Sequence, residues 1–284
     1  MLLEFERVDY TYAGSPQPAL QSLTLRIPAG KRCALIGHNG CGKTTLFLLA
    51  NGLYKPQRGV VRWQGTPLQY DRTSLMALRQ NVGLVFQDPE QQLVASTVEE
   101  DISYGLCNLG LPDAEVTQKV GDAIANFNLS ELAARPIHHL SLGQKKRVSL
   151  ADVMVLQPKL LLLDEPTAYL DQIQTRDLMT QLRQIHATGT TIVMATHDLD
   201  LAYCWADWLF ILQQGQLVLE GTPQDVFAQR DTLKQLNLGI PLVFDVLDKV
   251  AEALANDSQQ TDYQVMSSIP ESLRNRILDV FRYG

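Results

Sequence analysis

The chain has 284 residues, of which 45% are hydrophobic, and a formal net charge of −7. This hydrophobic content supports a packed core and excludes a disordered chain. The acidic balance disfavours broad binding to a phosphate backbone, so we expect no nucleic-acid partner. The four cysteines lack the spacing of a metal site, which favours free thiols in a cytoplasmic protein.

The N-terminal stretch carries Glu4 and Glu6, where a secretory signal peptide would be apolar. No stretch approaches the roughly 20 apolar residues that a membrane span needs. We therefore expect a chain that is soluble by itself, although docking on a membrane protein stays compatible with the sequence.

Alternating apolar residues between positions 3 and 27 predict half-buried strands. A turn at 28–31 leads into the short apolar strand RCALIG, which ends at a glycine-rich loop. A helix that stops at Gly52 follows, and a strand and turn are predicted at 59–65.

Residues 37–44 read GHNGCGKT and fit the phosphate-loop pattern G-x-x-x-x-G-K-[ST]. Because a strand precedes the loop and a helix follows it, backbone N–H groups between Asn39 and Thr45 can surround a β-phosphate. Lys43 would contact the β- and γ-phosphates, and Thr44 would offer a hydroxyl to Mg²⁺. The alternative is a glycine-rich turn before an ordinary helix. The predicted loop positions are Gly37, His38, Asn39, Gly40, Cys41, Gly42, Lys43, Thr44 and Thr45, with no chemistry assigned to the His38 side chain.

Between about positions 88 and 156 the chain reads as mostly helical, with apolar residues at helical spacing at Val116, Val120, Ile124 and Phe127. Two buried-strand runs follow, KLLLLDEP and TTIVMATHD, with a helix between them. Strands that alternate with helices predict a parallel sheet covered by helices. A hairpin is predicted at 208–221, and Thr222 is a predicted helix cap.

Polar residues stand where these two strands end, and ligands collect at such edges. Asp164 is predicted to hold Mg²⁺ through a water, beside the phosphate loop if the two strands are neighbours. Glu165 would polarise the attacking water. The alternative is a strand end with two solvated acids. His197 is a candidate γ-phosphate contact, and its alternative is a surface histidine.

Five motifs together resemble the ATP-binding-cassette (ABC) ATPases over residues 1–230. In order they are GHNGCGKTT, VFQDPEQQ, LSLGQKKRVSLA, LLLLDEPTAYLD and TIVMATHD. The runs GVVRWQGTPLQY, LRQNVGLVFQDPEQQ, LSLGQKKR and GTPQDVFA resemble more closely the cobalt-importer ATPases of the energy-coupling-factor type. The resemblance implies an α/β P-loop fold with an antiparallel N-terminal β-subdomain and a helical signature subdomain inserted at about 88–156. It also implies a C-terminal helical extension at 231–284, used either for dimer contact or for packing on the chain's own core.

The resemblance implies ATP and Mg²⁺ as cofactors and assigns further roles. Tyr12 would stack on adenine, with Tyr10 as its rival, and Gln87 would sense Mg²⁺ and the γ-phosphate. Mg²⁺ would be held through Thr44, Gln87 and Asp164, and Glu165 and His197 would be catalytic. A signature of Ser141, Gly143 and Gln144 would contact the ATP of a partner subunit, and Asp171 would lie in the loop that crosses between subunits.

Two residues depart from the family pattern. Leu142 replaces the first glycine of the usual Leu-Ser-Gly-Gly-Gln signature, and its side chain need not block the site if its φ is negative. Gly143 is then expected to need close approach to phosphate. Tyr169 stands where the crossing loop usually has a small residue.

The resemblance implies an ATP-hydrolysing subunit of an importer on the cytoplasmic face of the membrane. Its partners would be a second ATPase subunit, expected to be an identical copy, a multi-span coupling subunit and a substrate-binding membrane subunit. Cobalt is the first expectation for the cargo, and nickel or a vitamin is the second. A soluble, non-transport ABC ATPase is the alternative of another class. A GTPase or small-molecule kinase would not explain LSLGQ or THD, and no Asn-Lys-x-Asp guanine reader is present.

Overall fold

The computed structural model describes residues 1–255, with side chains described up to position 250. Its strands are β1 (Leu3–Tyr10), β2 (Leu20–Ile27), β3 (Arg32–Ile36), β4 (Arg58–Trp63), β5 (Thr66–Pro67), β6 (Val82–Val85), β7 (Leu160–Asp164), β8 (Thr191–Thr196), β9 (Trp208–Gln213) and β10 (Gln216–Gly221). Its helices are α1 (Lys43–Ala50), α2 (Arg72–Asn81), α3 (Val98–Cys107), α4 (Asp113–Asn126), α5 (Leu142–Met154), α6 (Gln172–Ala187), α7 (Leu199–Trp205), α8 (Pro223–Phe227), α9 (Arg230–Gln235) and α10 (Leu242–Ala255).

The first sheet is antiparallel, in the order β2-β1-β4-β5. Its strands form because apolar residues alternate along them and point into one core, as Leu23, Leu25 and Ile27 do in β2. This confirms the predicted antiparallel subdomain.

The second sheet has the order β10-β9-β3-β8-β7-β6, and its strands β9 to β6 run parallel. Every residue of β7 and β8 is buried, because helices cover both faces of the sheet. The antiparallel pair of β9 and β10 is the predicted hairpin. Because the parallel strands end at one edge, the residues that follow β3, β6, β7 and β8 lie close together.

Asp164 lies beside the phosphate loop as expected, but not through the neighbouring strands that the expectation assumed. We expected Asp164 beside the phosphate loop if β7 and β3 were neighbours, but β8 lies between them. Asp164 reaches the loop by another route, because α1 packs across β7 and carries Thr44 to it.

The region between β6 and β7 is mostly helical, as predicted. Helices α3, α4 and α5 share one core, to which Ile102, Val120, Ile124 and Val148 contribute. Capping boxes at Thr97 and Ser141 fix the starts of α3 and α5.

The C-terminal helices pack on the chain's own core as far as their side chains are described. Val243 and Leu247 of α10 are fully buried and pack in one cluster with Tyr203 and Phe227. A dimer contact by this extension stays a prediction. The second predicted helical stripe, Leu273, Ile277 and Val280, lies outside the described residues. Within residues 1–255, no helix has the length and apolar character to cross a membrane.

Candidate functional site

The loop between β3 and α1 is shaped by two glycines that no other residue can replace without displacement. A Cβ on Gly37 would lie 2.4 Å from the Leu212 carbonyl oxygen, and one on Gly42 would lie 2.6 Å from the Ala19 carbonyl oxygen. Gly42 also adopts a left-handed φ of 109° as the N-cap of α1, and it provides no side-chain cap. The first N–H groups of α1 therefore stay available to an anion.

Lys43 lies inside this loop with 7% of its surface exposed. Its Nζ donates to the carbonyl oxygen of Gly37 at 2.6 Å and to that of His38 at 3.4 Å. These bonds hold the ammonium over the loop, where it can contact phosphate oxygens. Cys41 is buried, so this residue contributes backbone rather than a side chain to the loop surface.

The next position of the loop meets the end of β7. Thr44 Oγ1 donates to Asp164 Oδ2 at 2.6 Å. Burial raises the pKa of the Asp164 carboxyl, which the Thr44 hydrogen bond and the Lys43 charge partly offset. A hydroxyl, a buried carboxylate and the amide of Gln87 are hard oxygen donors that suit Mg²⁺. The residues present therefore fit the predicted cation.

A cavity of about 1120 Å³ brings together predicted residues from four parts of the sequence. Its lining includes Gly37, His38, Asn39, Gln87, Glu165 and His197. They come from the ends of β3, β6, β7 and β8, which explains why residues far apart in sequence meet here. Because phosphate-loop backbone and a buried carboxylate share one cavity, the arrangement can hold a triphosphate and act on it.

Glu165 and His197 form a pair in this cavity. The Nδ1 atom of His197 lies 2.9 Å from Glu165 Oε2. Glu165 is only 7% exposed, and its Oε1 has no hydrogen-bond partner within the described residues. Its φ of 44° is left-handed, which a non-glycine residue adopts only when its surroundings enforce it. A buried acceptor oxygen beside an exposed histidine is suited to orienting a water molecule.

The two candidate adenine contacts differ in what their rings touch. Tyr10 stacks on Tyr54, with ring centroids 5.2 Å apart and 10° between the planes. Tyr12 is 37% exposed, and its hydroxyl lies 3.0 Å from Thr45 Oγ1 at the phosphate loop. The Tyr12 ring also packs edge-on against both of these rings. The placement favours Tyr12, because its hydroxyl is tied to the loop while a face of the Tyr10 ring is covered by Tyr54.

The signature residues lie in a different place from the phosphate loop. Ser141 caps α5, with its Oγ accepting from the Gln144 N–H at 3.3 Å and Gln144 Oε1 accepting from the Ser141 N–H at 2.9 Å. Ser141, Gly143 and Gln144 line a cavity of about 440 Å³ that does not include the phosphate loop. One copy of the chain therefore presents two separate half-sites.

The surroundings of Gly143 and Leu142 show whether the altered signature blocks the site. A Cβ on Gly143 would lie 2.9 Å from Cδ of Gln174, so the close approach found here is to α6 rather than to phosphate. Leu142 is the first residue of α5 and 38% exposed, and its φ is not among the positive ones. The condition that we set for an unblocked site is met.

The crossing-loop residues lie on the surface between Glu165 and α6. Asp171 caps α6 by accepting from the Gln174 N–H at 2.8 Å. Tyr169 is 82% exposed and has a left-handed φ of 63°. Its side chain is therefore free of packing constraints from its own chain.

Sequence reasoning missed two features of the site. Lys146 received no role from the sequence, yet it is buried, and its helical spacing to Leu150 was the available signal. Residues 237–239 line the large cavity, and His38 Nε2 donates to the Leu236 carbonyl oxygen at 3.1 Å. No motif in the sequence pointed to this contact between the phosphate loop and the C-terminal segment.

Comparison with known proteins agrees with this geometry. The family model described as ABC transporter matches residues 20–168. A Nostoc sp. protein named as a candidate ABC transporter ATP-binding protein is 62% identical over 280 residues, covering 99% of this chain and 98% of the relative. The energy-coupling factor transporter ATP-binding protein EcfA of Methanocaldococcus jannaschii is 41% identical, covering 81% of this chain and 82% of the relative.

Solved structures agree as well. The structure of cbiO1 from Clostridium perfringens, described as part of the ABC transporter complex cbiONQ, is 38% identical with a TM-score of 0.73, covering 87% of this chain and 98% of that one. A dimeric ATP-binding cassette bound to ADP and Pi is 25% identical with a TM-score of 0.71, covering 78% and 99%. The chain therefore belongs to the ABC transporter ATPases, as an ATP-binding and ATP-hydrolysing subunit of the energy-coupling factor type.

Proposed function

We propose that this subunit powers the uptake of cobalt ions through membrane partner subunits, at the cytoplasmic face of the membrane. The observation that carries the motor function is the separation of the two half-sites in one chain. A phosphate loop in one cavity and a signature helix start in another become one ATP site only when two chains meet. The cobalt assignment is supported by the motif resemblance and by the likeness to cbiO1 of the cbiONQ complex.

The working unit in this proposal is a pair of identical copies. The start of α5 from one copy covers the triphosphate that the phosphate loop of the other copy holds. Ser141, the N–H of Gly143 and the helix dipole then face the γ-phosphate. The dimeric cassette with ADP and Pi supports pairing of this kind. The pair closes when ATP is bound and opens after hydrolysis, so the bound nucleotide determines which of the two states is favoured.

The catalytic steps in this proposal use the residues of the large cavity. Glu165 polarises the attacking water, and His197 holds Glu165 through the 2.9 Å contact and faces the γ-phosphate. Lys43 neutralises charge on the β- and γ-phosphates. Thr44, Asp164 and Gln87 would hold Mg²⁺, which supplies further charge neutralisation at the transferring phosphoryl group.

The membrane partner would detect ATP hydrolysis by contacting the segment that follows Gln87. A groove of about 540 Å³ lies there, between that segment and the helical region, and Glu90, Leu93, Pro136 and His138 line it. At its rim Lys145 Nζ contacts Glu90 Oε1 at 2.5 Å. An intracellular segment of the coupling subunit in this groove would sense movement of Gln87 when the γ-phosphate is lost.

Uptake of radioactive cobalt by cells that carry Glu165→Gln tests the proposal. We expect loss of cobalt uptake with normal assembly, because the variant still binds ATP but does not activate water. The surface variant Glu115→Gln serves as the matched control and should transport normally. Loss of nickel or vitamin uptake with intact cobalt uptake would assign the other cargo. Purification of the native chain without any multi-span protein would favour the soluble, non-transport alternative.

A further inference from the structure

A buried ammonium group lies on the signature helix. Lys146, five residues after Ser141, is 6% exposed. Its Nζ donates to the carbonyl oxygens of Pro166 at 2.8 Å and Ala168 at 2.7 Å, and it lies 3.5 Å from that of Glu165. Among the described residues no carboxylate lies within ion-pair distance of it. Burying a charge without an ion pair is costly, so the three carbonyl groups must compensate for lost water.

The carbonyl groups that Lys146 contacts belong to one turn, directly after β7. The turn begins with Glu165 in its left-handed conformation, and the Ala168 N–H donates to the Glu165 carbonyl oxygen at 3.1 Å. Lys146 binds the carbonyl oxygens of this turn from one side. It thereby fixes the backbone from which the Glu165 carboxylate projects toward His197. A strained conformation of this kind persists only when its surroundings determine it.

The signature forms the N-terminal start of the same helix, little more than one turn before Lys146. A five-residue separation along a helix corresponds to about 7.5 Å, and a capped helix of this length moves as a stiff unit. A displacement of Ser141 and Gly143 is therefore passed to Lys146 and from there to the turn at Glu165. In one chain the signature and the turn at Glu165 would serve different ATP molecules, since the signature would face the partner's ATP and Glu165 the chain's own.

We propose that Lys146 is a positioning residue that couples the two ATP sites of a pair. When the signature closes on the partner's ATP, the position of α5 becomes fixed. Lys146 transmits that position to the backbone of the catalytic glutamate. The inference rests on the proposed pairing of two chains. It predicts that hydrolysis is cooperative, because each site is aligned by occupation of the other.

The test is the variant Lys146→Met in the full chain, which keeps the length of the side chain and removes its charge and its donors. We expect an unchanged ATP affinity, because Lys146 touches no residue of the phosphate loop. A misplaced Glu165 should lower kcat by roughly 100-fold, as small displacements of catalytic groups do. The Hill coefficient for ATP should fall to about 1, from a wild-type value above 1.

Two further variants separate positioning from simple loss of structure. Lys146→Arg keeps the charge and the donors and should recover much of the wild-type Hill coefficient. Lys119→Met removes a lysine from an exposed pair with Glu115 and should change neither kcat nor the Hill coefficient. If Lys146→Met does not fold, Lys146→Gln takes its place, because it keeps a donor and removes the charge.

The outcomes distinguish this inference from the proposed function. ATP-dependent pairing in the wild type, together with a Lys146→Met variant of normal kcat and Hill coefficient, would overturn the role of Lys146 alone. A lower kcat with the wild-type Hill coefficient would also overturn it, because the coupling would then run elsewhere. A wild type that hydrolyses ATP without pairing would overturn both the coupling and the proposed motor.

Discussion

The phosphate-loop face and the signature face of this chain are built in different ways. The first is an edge where four strands deliver loop backbone, carboxylates and a histidine into one cavity of about 1120 Å³. The second is a single exposed helix start, Ser141, with a capping box and a close neighbour in Gln174. The first can bind and activate a triphosphate, whereas the second can only add contacts to one that is already held.

This difference indicates that hydrolysis and its dependence on a second chain are assigned to two separate surfaces. Glu165, the residue proposed to act on water, is buried. The signature is exposed, and in the proposed pair it meets its ligand only through a second chain. A substitution on the phosphate-loop face should therefore impair the ATP site even in a single chain. A substitution on the signature face should impair only the activity of the pair.

The variant Gly143→Asp is expected to have the largest effect on ATPase activity and to distinguish the two faces. The new side chain would meet Gln174 and place a negative charge where the partner's γ-phosphate is proposed to lie. ATPase activity should fall by roughly 100-fold or more, as when an electrostatic contact at the phosphate is lost, while single chains still bind ATP. Gly121→Asp is the control, because a Cβ there meets nothing within 4 Å. Loss of ATP binding by the Gly143 variant would contradict the separation.

The next effect probes the phosphate-loop face. Thr44→Ala removes the donor to Asp164 and one predicted cation ligand. The Mg²⁺ concentration for half-maximal ATPase should rise roughly 10- to 100-fold, which a titration of activity with Mg²⁺ measures. Thr44→Ser should stay close to the wild type, and Thr117→Ala, at an exposed position of α4, should have no effect. An unaltered Mg²⁺ requirement in Thr44→Ala would remove Thr44 from the site.

A smaller effect concerns stability at the base of the signature helix. Burial, reinforced by the nearby Asp101 carboxylate, raises the pKa of Asp152 to about 7 despite a hydrogen bond from Gln92. A raised carboxyl pKa means that the folded state binds the proton more tightly. Stability should therefore fall as the pH rises from about 4 through 7, and the cost above pH 7 is at most about 4 kcal/mol.

Asp152→Asn removes that titration. Its advantage in free energy of unfolding over the wild type should grow by about 2.5 kcal/mol between pH 5 and pH 8. Urea unfolding of both proteins at the two pH values measures this, and the exposed Asp122→Asn is the control. An advantage that is independent of pH would show that Asp152 does not titrate in this range.

The smallest effect is expected from Leu142→Gly. The helical φ and exposed side chain of Leu142 leave the Gly143 N–H unobstructed, so ATPase activity should stay within about tenfold of the wild type. Glycine at the helix start should lower stability by about 1 kcal/mol or less. Leu142→Ala separates loss of the side chain from gain of backbone freedom. A large rise in turnover would mean that the native signature is impaired.

The sequence alone anticipates what is encoded locally. A glycine loop between a strand and a helix, and acids at the end of four leucines, predict Lys43, Thr44, Asp164 and Glu165 because each pattern lies within a few residues. The order of strands is not local, so the position of β8 between β3 and β7 could not be read from it. The burial of Lys146 depends on how distant segments pack, and its helical spacing to Leu150 is the only local sign of it. The contact of His38 with Leu236 depends on packing alone, and no short pattern marks it.

The most direct test of the central claim is the structure of Glu165→Gln trapped with ATP and Mg²⁺, together with its mass in solution. The account predicts a pair of chains with two ATP molecules, each between the Lys43 loop of one copy and Ser141 of the other. The Ser141 hydroxyl should lie about 3 Å from a γ-phosphate oxygen. An ATP-loaded form that stays a single chain, with Ser141 remote from any γ-phosphate, would contradict it.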